Sequence, residues 1–172
     1  MNKEKLKKFI KELYPYLIII IVVVLFRTFI ATPVRVDGDS MNSTLKDGDI
    51  LILNKLNKRY ERFDVVVINN NGTKLIKRII GLPGENIEYK DNDLYINGEL
   101  FKDIETSRTS DFSLEELYNL KEIPEDYYFV LGDNRVNSID SRDYRVGVVK
   151  KDDIEGTTSI RLFPFNKIGK FN

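Results

Sequence analysis

Leu13 to Phe26 limits what this chain can become more than any other stretch. It is apolar apart from Tyr14, Pro15 and Tyr16, and after Arg27 it is carried on by Phe29, Ile30 and Ala31. Crossing a bilayer takes roughly 20 such residues. Arg27 stands near the far end, where its long side chain can snorkel and let the span reach Ile30 or beyond. Ile18 to Val24 is apolar all round, which argues against a core helix with one wet face. A cleaved leader would share the charged-then-apolar layout, but no small-x-small pair stands at a sensible cut. The expectation is a retained transmembrane helix over residues 13–31, with Tyr14 and Tyr16 at one interface. Pro33 is expected to mark its exit by blocking further helix. Lys3, Lys5, Lys7, Lys8 and Lys11 outnumber Glu4 and Glu12 in residues 1–12. That basic tail favours the cytoplasmic side and leaves residues 32–172 extracytoplasmic.

The chain of 172 residues has room for one compact domain and a small elaboration. The part after the span reads as mainly β. Strands are expected at Thr32 to Val36, Ile50 to Leu53, Phe63 to Ile68, Lys74 to Ile80, Tyr127 to Leu131, Val146 to Val149 and Ile154 to Leu162. Asn70-Asn71-Gly72 is the clearest hairpin signal. Residues 86–126 form a small β-rich insertion or flap, with turns at Lys90 to Asp93 and at Asn97-Gly98. Ser113 and Glu116 have the spacing of a capping box that opens a short helix. Leu114, Leu117 and Leu120 could dock that helix.

Missing residue types narrow the chemistry. There is no cysteine and no histidine. Thiolate chemistry, disulfides, most zinc sites and the usual serine-protease base are excluded. A hydrolase built from this sequence needs lysine, aspartate or glutamate as its base. The 27 basic residues balance 27 acidic ones, and no nucleic-acid footprint is expected.

Three places carry candidate chemistry. Ser40 follows Gly38, which permits unusual dihedrals or close backbone approach, and opens a possible helical turn from Met41 to Leu45. Its N–H could hold a developing oxyanion; equally, Ser40 could be an ordinary turn serine. Lys77 lies in Leu75-Ile76-Lys77-Arg78-Ile79-Ile80, where strand alternation puts a cation among apolar residues on both faces. Burial and a nearby cation would lower its pKa and make it a base; snorkelling from an edge strand would leave it ordinary. The loop from Gly132 to Gly147 is dense in hydrogen-bonding side chains. Asp140 and Arg142 are placed there to pair, and Ser138 could hold a neutral amine.

In order, Gly38-Asp39-Ser40-Met41-Asn42-Ser43-Thr44-Leu45, Arg62-Phe63-Asp64-Val65-Val66, Lys77-Arg78-Ile79-Ile80-Gly81-Leu82-Pro83-Gly84, and Gly132-Asp133-Asn134-Arg135 through Ser138, Asp140, Ser141 and Arg142 resemble the bacterial type I signal peptidases. The likeness is to their short, single-span Gram-positive form and covers nearly the whole chain. It implies a signal-peptidase-like β catalytic core behind one N-terminal transmembrane helix. It further implies that Ser40 is the nucleophile and Lys77 the general base, acting through an acyl-enzyme with no cofactor and no metal. By the same resemblance the Ser40 N–H forms the oxyanion hole. The Gly38 position is where some members add a hydroxyl that glycine lacks here. Ser138 would orient the base, Asp140 and Arg142 would form a supporting ion pair, Asp133 and Arg135 would brace the region, and Met41 would pack on the dyad. Val34, Val36, Leu45 and Ile76 would line pockets for small residues, so that exported preproteins are cut after Ala-x-Ala at the face of a phospholipid bilayer. Phe163, Phe165 and Ile168 would graze that bilayer. Ser43 departs from the family pattern, which has proline there. Self-cleaving proteases of the SOS-repressor type share the core fold but carry a DNA-binding domain in place of an anchor. A non-catalytic, membrane-anchored β domain is the third reading, and it expects Ser40 and Lys77 to lie far apart.

Overall fold

A computed structural model describes residues 3–104 and 108–171. The first two residues of the basic tail and residues 105–107 of the insertion lie outside the described residues. Helix α1 spans Lys3–Phe29, and Lys7–Phe29 is long and apolar enough to cross a membrane. The helix takes in the lysine tail and passes through Pro15. Proline removes one hydrogen bond to the preceding turn, a loss that membrane helices tolerate. Its end is not set by Pro33. Strand β1 (Ala31–Arg35) begins almost at once and pairs antiparallel with β2 (Ile50–Asn54), Pro33 lying opposite Ile52. Strand β1 is the sheet edge, where a residue without an N–H is accommodated.

The main sheet runs β1-β2-β11-β3-β4-β9-β10, where β3 is Val65–Asn70, β4 Thr73–Gly81, β9 Tyr127–Leu131, β10 Val149–Lys150 and β11 Ile154–Phe163. A last short strand, Gly169–Lys170, pairs with β11. The unbroken run Val65-Val66-Val67-Ile68 is explained by burial on both faces. Val65 and Val67 pack with Val36, Met41, Leu45, Leu51, Leu53 and Ile76. Val66 and Ile68 pack with Tyr60, Ile79, Tyr128 and Val130.

Two expected strands are shorter than their patterns. Phe63 has a left-handed backbone (φ 71) and lies in a turn, not in β3. Its N–H donates to Ile79 O at 2.8 Å, and its carbonyl accepts from Arg78 Nη1 at 2.9 Å. Val146 and Gly147 are held in a turn by N–H bonds to Asp143 O, so only Val149 and Lys150 pair.

The insertion leaves β4 and returns to β9, its sheet neighbour. It is a second sheet ordered β7-β6-β5-β8, with β5 Ile87–Lys90, β6 Asp93–Ile96, β7 Glu99–Phe101 and β8 Phe112–Ser113. Asp91-Asn92 and Asn97-Gly98 are paired left-handed turn residues, as is Asn71-Gly72 between β3 and β4. That is the hairpin geometry which matches strand twist. Helix α2 (Leu114–Tyr118) has both bonds of the Ser113–Glu116 capping box. Ile87, Tyr89, Leu94, Phe112, Leu114 and Ile123 share one apolar core with Ile80, Phe129 and Leu131 of the main sheet. The insertion therefore packs as part of the body of the domain.

Candidate active site

Met41 and Leu45, 1% and 0% exposed, anchor the turn that carries Ser40. Leu45 N–H donates to Met41 O at 2.7 Å, and Asn42 N–H to Asp39 O at 3.0 Å. Burying two large apolar side chains contributes about 2 kcal/mol each and fixes which way the turn faces. Ser40 is left half-buried at its rim. Gly38, with φ 89, donates its N–H to Asp47 Oδ1 at 2.9 Å. None of these bonds uses the Ser40 N–H.

Lys77 comes from the middle of β4, opposite Val66. It is 2% exposed, and its Nζ lies 2.6 Å from Ser40 Oγ. Burial pushes its pKa down to about 8, against the opposing pull of the Asp140 and Asp133 carboxylates. Burial alone does the lowering. No nearby cation adds to it: Arg78, the neighbouring cation on β4, is committed elsewhere. Arg78 Nε and Nη2 donate to the two oxygens of Asp133 at 2.8 and 2.6 Å, with both residues buried.

The loop after β9 closes over the serine turn. A Cβ on Gly132 would lie 2.4 Å from Ser40 O and 2.2 Å from Ser138 Oγ, so only glycine fits. Asn134 donates its N–H to Ser40 O at 3.0 Å and its side-chain amide to Asp39 O at 3.1 Å. Asp133 N–H points at Met41 Sδ, 3.4 Å away, and Thr44 Oγ1 donates to Asp133 Oδ2 at 2.6 Å. Asp140 and Arg142 form an ion pair, with contacts of 2.9 and 2.8 Å. Asp140 Oδ2 also accepts the Gly132 N–H at 3.0 Å. Ser138 lies beside Gly132, but its buried Oγ has no hydrogen-bond partner among the described residues. Asp133 and Arg135 hold the same loop from opposite sides: Asp133 faces Arg78, and Arg135 turns into the insertion to meet Asp103.

Of the four residues assigned to substrate pockets, Val36, Leu45 and Ile76 are packed in one apolar cluster and Val34 rests half-buried against it. Val34 also lines an open depression with Thr32, Pro33, Arg35, Asp37, Thr73 and Lys74. Sequence reasoning passed over Arg78, Thr44 and Asn134. The signal for Arg78 was its place beside Lys77: adjacent strand residues face opposite ways, so a sheet buried on both sides must bury both cations. Among the described residues no three acidic side chains converge on a metal position.

Comparison with known proteins gives one consistent result. The family described as "Signal peptidase, peptidase S26" matches residues 7–163. The chain is 39% identical to signal peptidase I P of Bacillus subtilis subsp. natto, over 97% of each chain. It is 37% identical to signal peptidase I of Bacillus amyloliquefaciens, over 90% of this chain and 88% of that one. Among solved structures, a signal peptidase I from Enterococcus faecalis V583 aligns with a TM-score of 0.53 at 40% identity, covering 58% of this chain and 96% of the other.

Proposed function

The chain belongs to the signal peptidase family, peptidase S26, and from that premise we propose that it frees exported preproteins from their signal peptides through Ser40 as nucleophile and Lys77 as general base. The observation that carries this reading is the 2.6 Å approach of Lys77 Nζ to Ser40 Oγ, with the lysine almost wholly buried. A lysine at its ordinary pKa is almost entirely protonated at neutral pH and cannot accept a proton. Lowering the pKa from 10.5 to about 8 raises the neutral fraction roughly 300-fold. Neutral Lys77 takes the Ser40 proton as Oγ attacks the scissile carbonyl, then passes it to the departing amine. Lys77, neutral again, then takes a proton from the water that attacks the acyl-enzyme and gives it to Ser40 Oγ as the acyl group leaves. In this reading the Ser40 N–H stabilises the oxyanion, and a second donor comes from backbone or water, since Gly38 has no hydroxyl. Ser138, whose buried Oγ lies beside Gly132 and has no partner among the described residues, is assigned to orient the amine.

Specificity for small-x-small sequences is assigned to Val34, Val36, Leu45 and Ile76, one apolar cluster whose medium aliphatic side chains suit shallow pockets that a large residue would overpack. The apolar part of α1, Leu13 to Phe29, forms the anchor assigned to residues 13–31, with the basic tail of residues 1–12 inside and residues 32–172 outside. Ser43 replaces the family's proline without opening the turn, because Thr44 and Leu45 both donate to Met41 O. The test is cleavage of a purified preprotein in lipid by wild type, Ser40→Ala and Lys77→Ala, with the cut mapped by mass spectrometry. The expected outcome is a cut after Ala-x-Ala that both variants lose. A cut that persists without Lys77 removes it as the base.

A further inference from the structure

Arg135 is a charge buried far more deeply than a surface loop requires. Its side chain is 0% exposed, against 11% for its partner Asp103. Nη1 donates to Asp103 Oδ2 at 2.5 Å, to Tyr89 OH at 2.8 Å and to Thr109 Oγ1 at 3.2 Å. Nη2 donates to Asp103 Oδ1 at 3.2 Å. Tyr89 OH in turn donates to Asp103 Oδ2 at 2.5 Å, and the guanidinium stands 5.6 Å from the Tyr89 ring centroid. All three partners belong to the insertion. On its other side Arg135 holds the loop it comes from: Nε donates to Gly132 O at 3.2 Å, and its N–H to Asp133 O at 3.0 Å. Gly132, Asp133 and Asn134 are the residues that touch Ser40 O, Met41 Sδ, Arg78 and Asp140.

We propose that Arg135 is a positioning residue: by clasping Tyr89, Asp103 and Thr109 it holds the 132–134 loop down on Ser40, and so makes the insertion a working part of the catalytic apparatus. Packing alone would not need such a device, because the insertion already shares an apolar core with the main sheet. A buried guanidinium is costly to desolvate unless its donors are matched. Here the matching groups come from the insertion, Tyr89 from β5 and Asp103 and Thr109 from the loop between β7 and β8, which ties the position of the 132–134 loop to the insertion. The inference rests on Ser40 and Lys77 being the reacting pair.

Loosening the clasp lets the loop lift and admits water to Lys77. The groups facing Lys77 are Ser40 from the serine turn, Asp133 and Asp140 from this loop, and Arg78 as its neighbour on β4, itself paired to Asp133. Hydration relieves the burial that depresses the lysine pKa, so the alkaline rise in rate moves to higher pH.

The test uses the full-length enzyme in detergent with a peptide containing Ala-x-Ala, comparing Tyr89→Phe, Asp103→Asn and Arg135→Lys with wild type. The readouts are kcat, KM, the pH profile of kcat and the melting temperature. The expected result is a loss of about tenfold in kcat for Asp103→Asn and Arg135→Lys. Tyr89→Phe should lose less, and in each case KM stays near wild type and the rise shifts to higher pH. Tyr89→Phe keeps the ring in the core and decides the matter if the charged variants do not fold. Lowered melting temperatures with wild-type kcat and pH profile in the folded protein would overturn the proposal and leave Arg135 a structural residue. Cleavage by Ser40→Ala in the same assay would instead sink the assignment of the reacting pair.

Discussion

The pockets around Lys77 and Arg78 lie on opposite faces of β4, one residue apart. Both residues are equally buried, at 2% exposure. Arg78 donates to both oxygens of Asp133, to the Phe63 carbonyl and to the Thr44 hydroxyl. Lys77 has Ser40 Oγ as its close partner, with the nearest carboxylates acting through space. The difference follows from the two side chains. A guanidinium keeps its charge under all ordinary conditions, so burying it demands a full set of acceptors. An ammonium can shed its proton, and in a pocket without a paired carboxylate it does so near neutral pH. One strand thus holds a fixed cation that locks the serine turn and a titrating amine that can react with it.

Removing the titrating member should have the largest effect and should separate activity from stability. Lys77→Met is expected to lower cleavage by about 10³-fold or more. The same change should stabilise the fold at pH 7. The folded pKa of about 8 lies below the ordinary 10.5, so between those values the unfolded chain binds more protons and stability rises with pH. Below pH 8 wild type therefore carries a cost of about 3 kcal/mol that methionine does not. Denaturant melts at pH 7 and pH 10 check this. A wild type whose stability is flat across that window, or a methionine variant no more stable at pH 7, would break the contrast between the two pockets.

Breaking the fixed pair should cost stability instead. Asp133→Asn leaves Arg78 buried beside a neutral amide, a loss of about 3–5 kcal/mol. It also removes one of the two carboxylates that raise the Lys77 pKa. Whatever folded enzyme remains should therefore show its alkaline rise in rate at lower pH than wild type. A shift to higher pH would mean that the variant opens the site to water before the lost charge is felt.

Most of this arrangement could be read from the chain where the signal was local. Asn71-Gly72, Asn97-Gly98 and the Ser113–Glu116 box state their own geometry, and the structure has all three. The turn that buries Met41 and Leu45 follows from their spacing. Of the long-range pairings, that of Ser40 with Lys77 came only from the family resemblance, and those of Asp133 and Arg135 did not show. Asp133 and Arg135 are two residues apart and read as one brace, yet one faces Arg78 on β4 and the other faces Asp103 across the insertion. Alternation along an irregular loop carries no register, so which way each points is decided by the sheets it packs between. The end of α1 was misread for a similar reason. Pro33 is a local stop signal, but β1 pairing with β2 claims the chain at Ala31, before the proline acts.

The smallest effects come from two Asp-x-Arg pairs in the same loop, and they sharpen the point about surroundings. Arg142–Asp140 and Arg145–Asp143 have the same local geometry, each with the arginine Nε and Nη2 on the aspartate two residues earlier. The side chain of Asp140 is 0% exposed, and Asp140 also holds the Gly132 N–H. Asp143 is a quarter exposed and its arginine more than half. The Arg145 guanidinium holds the Asp143 carboxyl down to about 2, yet water screens that pair and long side chains lose entropy to make it. Arg142→Ala should unbalance a buried carboxylate that faces Lys77, raise the lysine pKa and slow cleavage at pH 7 several-fold while the rate at pH 10 recovers. Arg145→Ala should leave both rate and melting temperature at wild-type values. If the two variants behave alike, contact geometry outweighs burial in this loop. If only Arg142→Ala changes the pH profile, burial decides which ion pair matters, as it does for the two cations of β4.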